Sequence, residues 1–223
     1  MEIINNHYYI YMEIQEIQNT NFPKLKPVKE IMNIKIPNIT DENIPHRNGF
    51  IWVLCGSGGS GKTSLMLNFF KSNLLYKQKF HNIFYICPES SFLSVKNHPF
   101  KDHPNLSHDL TADYLNSLYN YLVTLKEANL NDKKDDNYND DIEDINKSKT
   151  KKDKTEYNCI IIDDFADALK NIELQKVLSK MLIKARHINT AFIFTVQSYY
   201  YFPKILRKQI TYITIFKPKN NEE

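Results

Sequence analysis

Glycine is scarce in this chain, with five residues in 223, at positions 49, 56, 58, 59 and 61. Backbone that tolerates positive φ or close approach is therefore confined almost entirely to one stretch. Arginine is scarcer still. Only Arg47, Arg186 and Arg207 stand among 29 basic residues, so lysine serves wherever a plain positive charge is enough. A guanidinium at one of those three positions points to a need for its planar, five-donor fork. Cysteine is limited to Cys55, Cys87 and Cys159, an odd number with no C-x-x-C spacing, each inside an apolar run. That argues for buried thiols in a reducing compartment and against a disulfide frame or zinc site. No apolar run approaches the roughly 18 residues that a membrane span requires. The opening Met-Glu-Ile-Ile-Asn-Asn lacks the basic start and apolar stretch of a signal peptide. Neither charge dominates, at 29 basic against 26 acidic residues, a net +3. With 42% apolar and 25% charged residues the chain can bury a core, which excludes wholesale disorder. The expectation is a soluble, intracellular protein without a membrane partner.

Apolar runs and helix-period stretches alternate from residue 51 onward. Residues 51–55, 82–87, 158–162, 191–196 and 209–216 read as strands, and 62–76, 112–130 and 173–186 as helices. Such alternation predicts an α/β fold, a mostly parallel central sheet flanked by helices. Residues 1–45, interrupted by Pro23, Pro27, Pro37 and Pro45, read as an N-terminal extension with one short strand near 32–36. Residues 46–217 form the main domain and 218–223 a tail. Residues 89–111 read as irregular. Between 131 and 156 an acidic run passes into a lysine run, a composition that favours a disordered surface insertion.

The most informative motif is Gly56-Ser57-Gly58-Gly59-Ser60-Gly61-Lys62-Thr63, which fits G-x-x-x-x-G-K-[ST]. A polyphosphate needs to be wrapped by main-chain N–H donors, and residues lacking Cβ let the chain curl that tightly. An apolar strand enters the loop and an amphipathic helix leaves it, so the helix N-terminus adds its partial positive charge. Gly56, Ser57, Gly58, Gly59, Ser60, Gly61, Lys62, Thr63 and Ser64 are the candidate nucleoside triphosphate ligands. Lys62 is expected to reach the β- and γ-phosphates and Thr63 to ligate Mg2+.

A strand ending in Asp163-Asp164 supplies the complementary acids. Asp163 is the candidate metal acid and Asp164 the group that polarises an attacking water. Gln197, at the end of the next strand, is either a γ-phosphate sensor or a polar strand terminus. Arg186 is read at the end of the 173–186 helix, where it either complements the macrodipole or acts as a finger toward a neighbouring subunit's nucleotide. Arg207 is the reserve for that finger and an alternative contact for nucleic-acid phosphates. Residues 199–202 mix aromatics with nearby lysine, which suits core packing or a DNA contact.

Taken in order, the loop at 56–64, Ile-Ile-Ile-Asp-Asp-Phe at 160–165, Ala-Arg-His at 185–187, Thr-Val-Gln-Ser-Tyr at 195–199 and Phe-Pro-Lys-Ile-Leu-Arg at 202–207 form a recognisable set. The set resembles the poxvirus-type genome-packaging ATPases of large DNA viruses and virophages, within the FtsK–HerA superfamily. The resemblance spans about residues 46–217. It implies an additional-strand P-loop NTPase fold, ATP hydrolysis with Mg2+, a homo-oligomeric ring, and translocation of double-stranded DNA without sequence specificity. A capsid or portal partner and a location in the host cytoplasm or virion are implied as well. By the same likeness Asp163 is the metal acid, Asp164 the catalytic acid, Gln197 the sensor and Arg186 the finger. One departure is that the second acid is Asp where relatives in the wider superfamily usually carry Glu. From residue 168 onward ten basic residues face Glu173, Glu222 and Glu223, a net +7 compatible with a DNA backbone. The competing readings are a P-loop nucleoside or nucleotide kinase, for which an arginine-rich lid is missing, and a non-hydrolysing nucleotide-binding scaffold.

Overall fold

The computed structural model describes residues 35, 36, 39, 43–135 and 155–217. Most of the N-terminal extension, the insertion from 136 to 154 and the tail from 218 lie outside the described residues.

Six strands, β1 (Ile51–Cys55), β2 (Asn82–Ile86), β3 (Leu106–Ser107), β4 (Asn158–Asp163), β5 (Thr190–Val196) and β6 (Tyr212–Ile215), form one sheet in the order β3-β2-β4-β5-β1-β6. Every pairing is parallel. β5 lies between β1, which feeds the glycine loop, and β4, which carries the two acids. That intervening strand is the additional strand expected from the sequence. The helices are α1 (Lys62–Lys71), α2 (Glu89–Leu93), α3 (Ala112–Asp135), α4 (Ile172–Ile183) and α5 (Lys204–Arg207).

Period-two alternation divides the strands between two cores. Ile51, Val53, Ile160, Ile162, Phe192 and Phe194 point to the face covered by α3 and α4. Trp52, Leu54, Cys159, Ile161 and Ile193 point to the other, which is packed with aromatics including Phe50, Phe70, Tyr76, Phe80 and Phe100. The central strands are therefore apolar throughout, as a sheet covered on both faces demands. Each fully buried Leu, Ile or Phe contributes about 1.5–3 kcal/mol. Cys55, Cys87 and Cys159 are free and buried, and burial pushes the Cys87 thiol up to about 12. Ile36 and Ile39 are also buried in the second core, so the packed body takes in residues upstream of 46.

Several boundaries differ from the sequence reading, each because packing outweighs local periodicity. Helix α1 stops at Lys71 rather than near 76, leaving Leu74 exposed. The chain turns back to bury Tyr76, whose N–H donates to Phe69 O at 2.9 Å and whose hydroxyl donates to Pro45 O at 2.7 Å. Its ring stacks on Phe50 at 5.8 Å. Helix α4 runs from Ile172 to Ile183, started by Asn171, whose side chain accepts from the amides of Glu173 and Leu174. The chain then turns to bury Ala185 and Ile188 instead of continuing to Arg186. Residues 89–111 contain α2 and the short β3 and are not wholly irregular. Helix α3 continues to Asp135, into the segment read as insertion. At 32–36 the described part shows a single bridge, Lys35 to Arg47. The last strand is limited to Tyr212–Ile215. Of residues 199–202 only Phe202 enters the core, while Tyr199, Tyr200 and Tyr201 stay exposed on a 3-10 turn.

Candidate functional site

All strands being parallel, their C-terminal ends lie on one edge of the sheet. The glycine loop after β1, the acids after β4 and Gln197 after β5 meet there. A cleft of about 340 Å³ is lined by Gly58, Gly59, Gly61, Lys62, Thr63, Ser64, Ser91, Ser94, Val95, Asp164, Thr195 and Gln197. Gly61 has φ 100 and caps α1, whose first turn carries no acid to neutralise its positive end. Phe216 packs so closely over Gly56 that a Cβ there would sit 2.6 Å from the ring's own Cβ, whereas beside Gly58 there is open space. Lys62 curls over the loop, donating from Nζ to Ser57 O at 2.9 Å and to Gly56 O at 2.5 Å. The hydroxyls of Ser57 and Ser60 are buried without a hydrogen-bond partner among the described residues. Orphan donors in a ring of main-chain amides, beside an ammonium that curls onto the loop carbonyls, fit a polyphosphate.

Thr63 Oγ1 donates to Asp163 Oδ1 at 3.1 Å, so the two proposed metal ligands are in contact. Asp163 is fully buried and held from every side. Tyr85 donates to its Oδ2 at 2.6 Å, and Thr195 makes a very short hydrogen bond to its Oδ1. Behind Tyr85 stands His98. Its Nδ1 accepts from the Phe100 amide at 3.2 Å, which places the proton on Nε2, 3.2 Å from the Tyr85 hydroxyl. His98 donates to Tyr85 and Tyr85 to Asp163, a relay that keeps the carboxylate turned toward Thr63. Burial, together with the Asp163 carboxylate, pushes the Tyr85 phenol far above its ordinary range. Burial pulls the imidazole of His98 below its ordinary range. Hard oxygen donors from Thr63 and Asp163 suit a magnesium ion that retains most of its water.

Asp164 takes φ 60, an uncommon conformation for a residue with a side chain. Its amide donates to Thr195 Oγ1 at 3.0 Å, its Oδ2 accepts from Ser91 at 2.7 Å and its Oδ1 from Gln197 Nε2 at 3.2 Å. Thr195 thus holds both acids from one hydroxyl, because the β4–β5 register sets it opposite Asp163. Ser91, Tyr85, Thr195 and His98 escaped the sequence reading. Thr195 could have been found, as a hydroxyl two residues before Gln197 on the same strand. Ser91 and His98 could not, since only the packing of 89–103 against β2 brings them in.

The two candidate arginines, Arg186 and Arg207, lie elsewhere. Arg186 is in the turn three residues past α4, at the N-terminal edge of the sheet, so the helix-end reading does not apply to it. Seven residues of β5 separate that edge from Gln197, about 23 Å at 3.3 Å per residue. Arg186 cannot reach the cleft of its own chain. Arg207 donates to Phe202 O at 2.7 Å and Tyr200 O at 2.6 Å and lies over the Tyr199 ring. Its fork holds the tyrosine turn in place. Several lysines of the basic stretch are engaged too: Lys180 and Lys184 over Tyr119, Lys170 with Asp167 at 2.7 Å.

Sheet order, loop and paired acids together define a P-loop NTPase of the additional-strand class. The chain belongs to the poxvirus A32 protein family, whose model matches residues 41–222. Among solved structures, the DNA-packaging ATPase B204 from Sulfolobus Turreted Icosahedral Virus is similar in fold, with TM-score 0.51 and 18% identity over 79% of each chain. EssC (ATPases 2 and 3) from Geobacillus thermodenitrificans has TM-score 0.52 and 14% identity, covering 78% of this chain and 33% of that one. No curated protein matches.

Proposed function

We propose that the protein is an ATP-hydrolysing motor that packages viral double-stranded DNA into a capsid. The observation that carries this reading is the contact of Thr63 with Asp163 at 3.1 Å, with Asp164 and Gln197 beside them at the mouth of the phosphate loop. Family membership and the fold shared with a viral DNA-packaging ATPase support it.

In this reading Lys62 leaves the loop carbonyls for the β- and γ-phosphates, and the Ser57 and Ser60 hydroxyls donate to phosphate oxygens. Thr63 and Asp163 would hold magnesium, which when bound neutralises charge on the β- and γ-oxygens. Asp164 orients a water at the γ-phosphate and takes up its proton. A carboxylate that already accepts from Ser91 and Gln197 is held in place at the mouth of the loop. Gln197 links that acid to the exposed Tyr199–Tyr201 turn, which with Lys204 and Lys208 suits the DNA backbone. A neighbouring copy in a homo-oligomeric ring supplies Arg186. The ring acts in the host cytoplasm or virion, with a capsid or portal protein as anchor.

The test is ATP turnover by the purified oligomer with and without double-stranded DNA of random sequence. Stimulation by DNA is expected. Turnover indifferent to DNA but raised by a nucleoside acceptor would overturn the motor in favour of a kinase.

A further inference from the structure

At the sheet edge opposite the cleft, a pocket of about 230 Å³ is lined by Arg47, Asn48, Gly49, Phe50, Arg186, Thr211 and Tyr212. Two of the chain's three arginines therefore share one small pocket, contributed by segments 139 residues apart. Both are exposed. Neither guanidinium has an acidic partner or a hydrogen bond among the described residues, in contrast to Arg207, which donates to two main-chain carbonyls.

The pocket is built, not incidental. Gly49, the one glycine outside the phosphate loop, has φ 66, and a Cβ there would meet the backbone N and Cα of Arg186 at 2.5 and 2.6 Å. Glycine is thus required for the 47–49 turn to lie against Arg186. Asn48 is buried and donates from Nδ2 to Asn189 Oδ1 at 2.8 Å, tying the two turns together. Its Oδ1 is buried with no donor among the described residues. The backbone of Arg47 is itself bridged to Lys35.

We propose that Arg47 and Arg186 form a second oxyanion site, one that binds a phosphate group between two guanidinium forks. Phosphate is favoured over carboxylate by the donor count. A carboxylate offers two oxygens and saturates one fork, whereas a tetrahedral phosphate offers enough oxygens to occupy two. The choice of arginine at both positions, in a chain that otherwise relies on lysine, points the same way. The phosphate has two sources: a triphosphate held by a second copy's glycine loop, or a phosphodiester of DNA. The first source rests on the ATPase reading above; affinity for the oxyanion itself does not.

With three arginines in the chain, the Nε–Hε region of a nitrogen-correlated NMR spectrum contains three signals, which Arg47→Lys and Arg207→Lys variants assign. Inorganic phosphate is titrated into full-length Lys62→Ala protein, whose glycine loop holds no arginine. Saturable shifts of Arg47 and Arg186 with one shared midpoint, and a still Arg207, are expected. Arg47→Lys keeps the charge but removes the fork, and should weaken the Arg186 response about tenfold. No shift, or equal unsaturable shifts of all three, would overturn the proposal. Mixing separates the sources. Arg47→Ala and Lys62→Ala subunits, each inactive alone, regain turnover together if the phosphate belongs to a neighbour's nucleotide. If it belongs to DNA, mixing restores nothing and Arg47→Ala lowers the salt dependence of DNA binding by about one contact. Mixtures without recovery and an unchanged salt slope would dismiss the site. Should the wild-type oligomer hydrolyse no ATP, the motor reading fails while the phosphate titration still decides the pocket.

Discussion

The two ends of the sheet differ in what they leave unsatisfied. At the C-terminal edge the acids are already engaged: Asp163 accepts from Tyr85, Thr195 and Thr63, and Asp164 from Ser91 and Gln197. What is open there is a set of donors, the buried hydroxyls of Ser57 and Ser60 and the amides of the loop. At the N-terminal edge Arg47 and Arg186 line one pocket, and neither has a side-chain partner among the described residues. Both edges present donors suited to an oxyanion, but only the first carries paired carboxylates, the groups proposed to hold a metal and move a proton. The difference teaches a division of labour: one edge does chemistry on a phosphate, and the other can only grip one. Because about 23 Å of strand separates them, one phosphate reaches both edges only when a second molecule brings it to the opposite one.

Substitutions at each edge test that contrast. The largest effect belongs to Lys62→Ala, which should reduce ATP turnover to background in a steady-state assay while the fold, followed by circular dichroism, is retained. Asp164→Asn should lower turnover by about 10²–10⁴-fold with nucleotide affinity, measured by calorimetry, unchanged; parallel loss of affinity would remove its role as base. At the other edge, Gly49→Ala forces a Cβ into the Arg186 backbone at positive φ and should destabilise by about 2–4 kcal/mol. A denaturant midpoint equal to wild type would show that the 47–49 turn does not hold Arg186. Tyr85→Phe removes the donor behind Asp163 and should weaken Mg2+ dependence of ADP binding by about tenfold, leaving metal-free ADP binding intact. A loss in both would make Tyr85 a fold residue only.

The smallest effect is a pH dependence. Burial lowers His98 and His103 in the folded protein, so below the ordinary histidine range, about 6.5, the unfolded chain binds more protons. Stability is present in full above that range and is lost as pH falls through it toward the lower folded values. Melting temperatures across that interval should drop on acidification, and a rise would contradict the buried relay behind Asp163.

Much of the C-terminal edge was legible from residues alone. The loop at 56–64 and the Asp163-Asp164 pair are local patterns whose spacing carries their chemistry. The continuous apolar strands could be read because a sheet covered on both faces leaves no position for a polar residue. Helix ends were less legible. Leu74 and Leu75 keep the helical period past Lys71, yet burying Tyr76 between Phe50 and Phe80 is worth more than another turn. Arg186 continues the α4 pattern by sequence, but the chain turns first so that Ala185 and Ile188 pack inward.

By itself the sequence determined the strands, the phosphate loop and the acids, since these depend on residues adjacent along the chain and on a repeat of two or 3.6. Tertiary structure alone decided that Thr195 would bind both acids, that Ser91 and the His98–Tyr85 pair would brace them, and that Arg47 would join Arg186. Those contacts link segments tens to more than a hundred residues apart, and only strand register and core packing bring such segments within hydrogen-bonding distance.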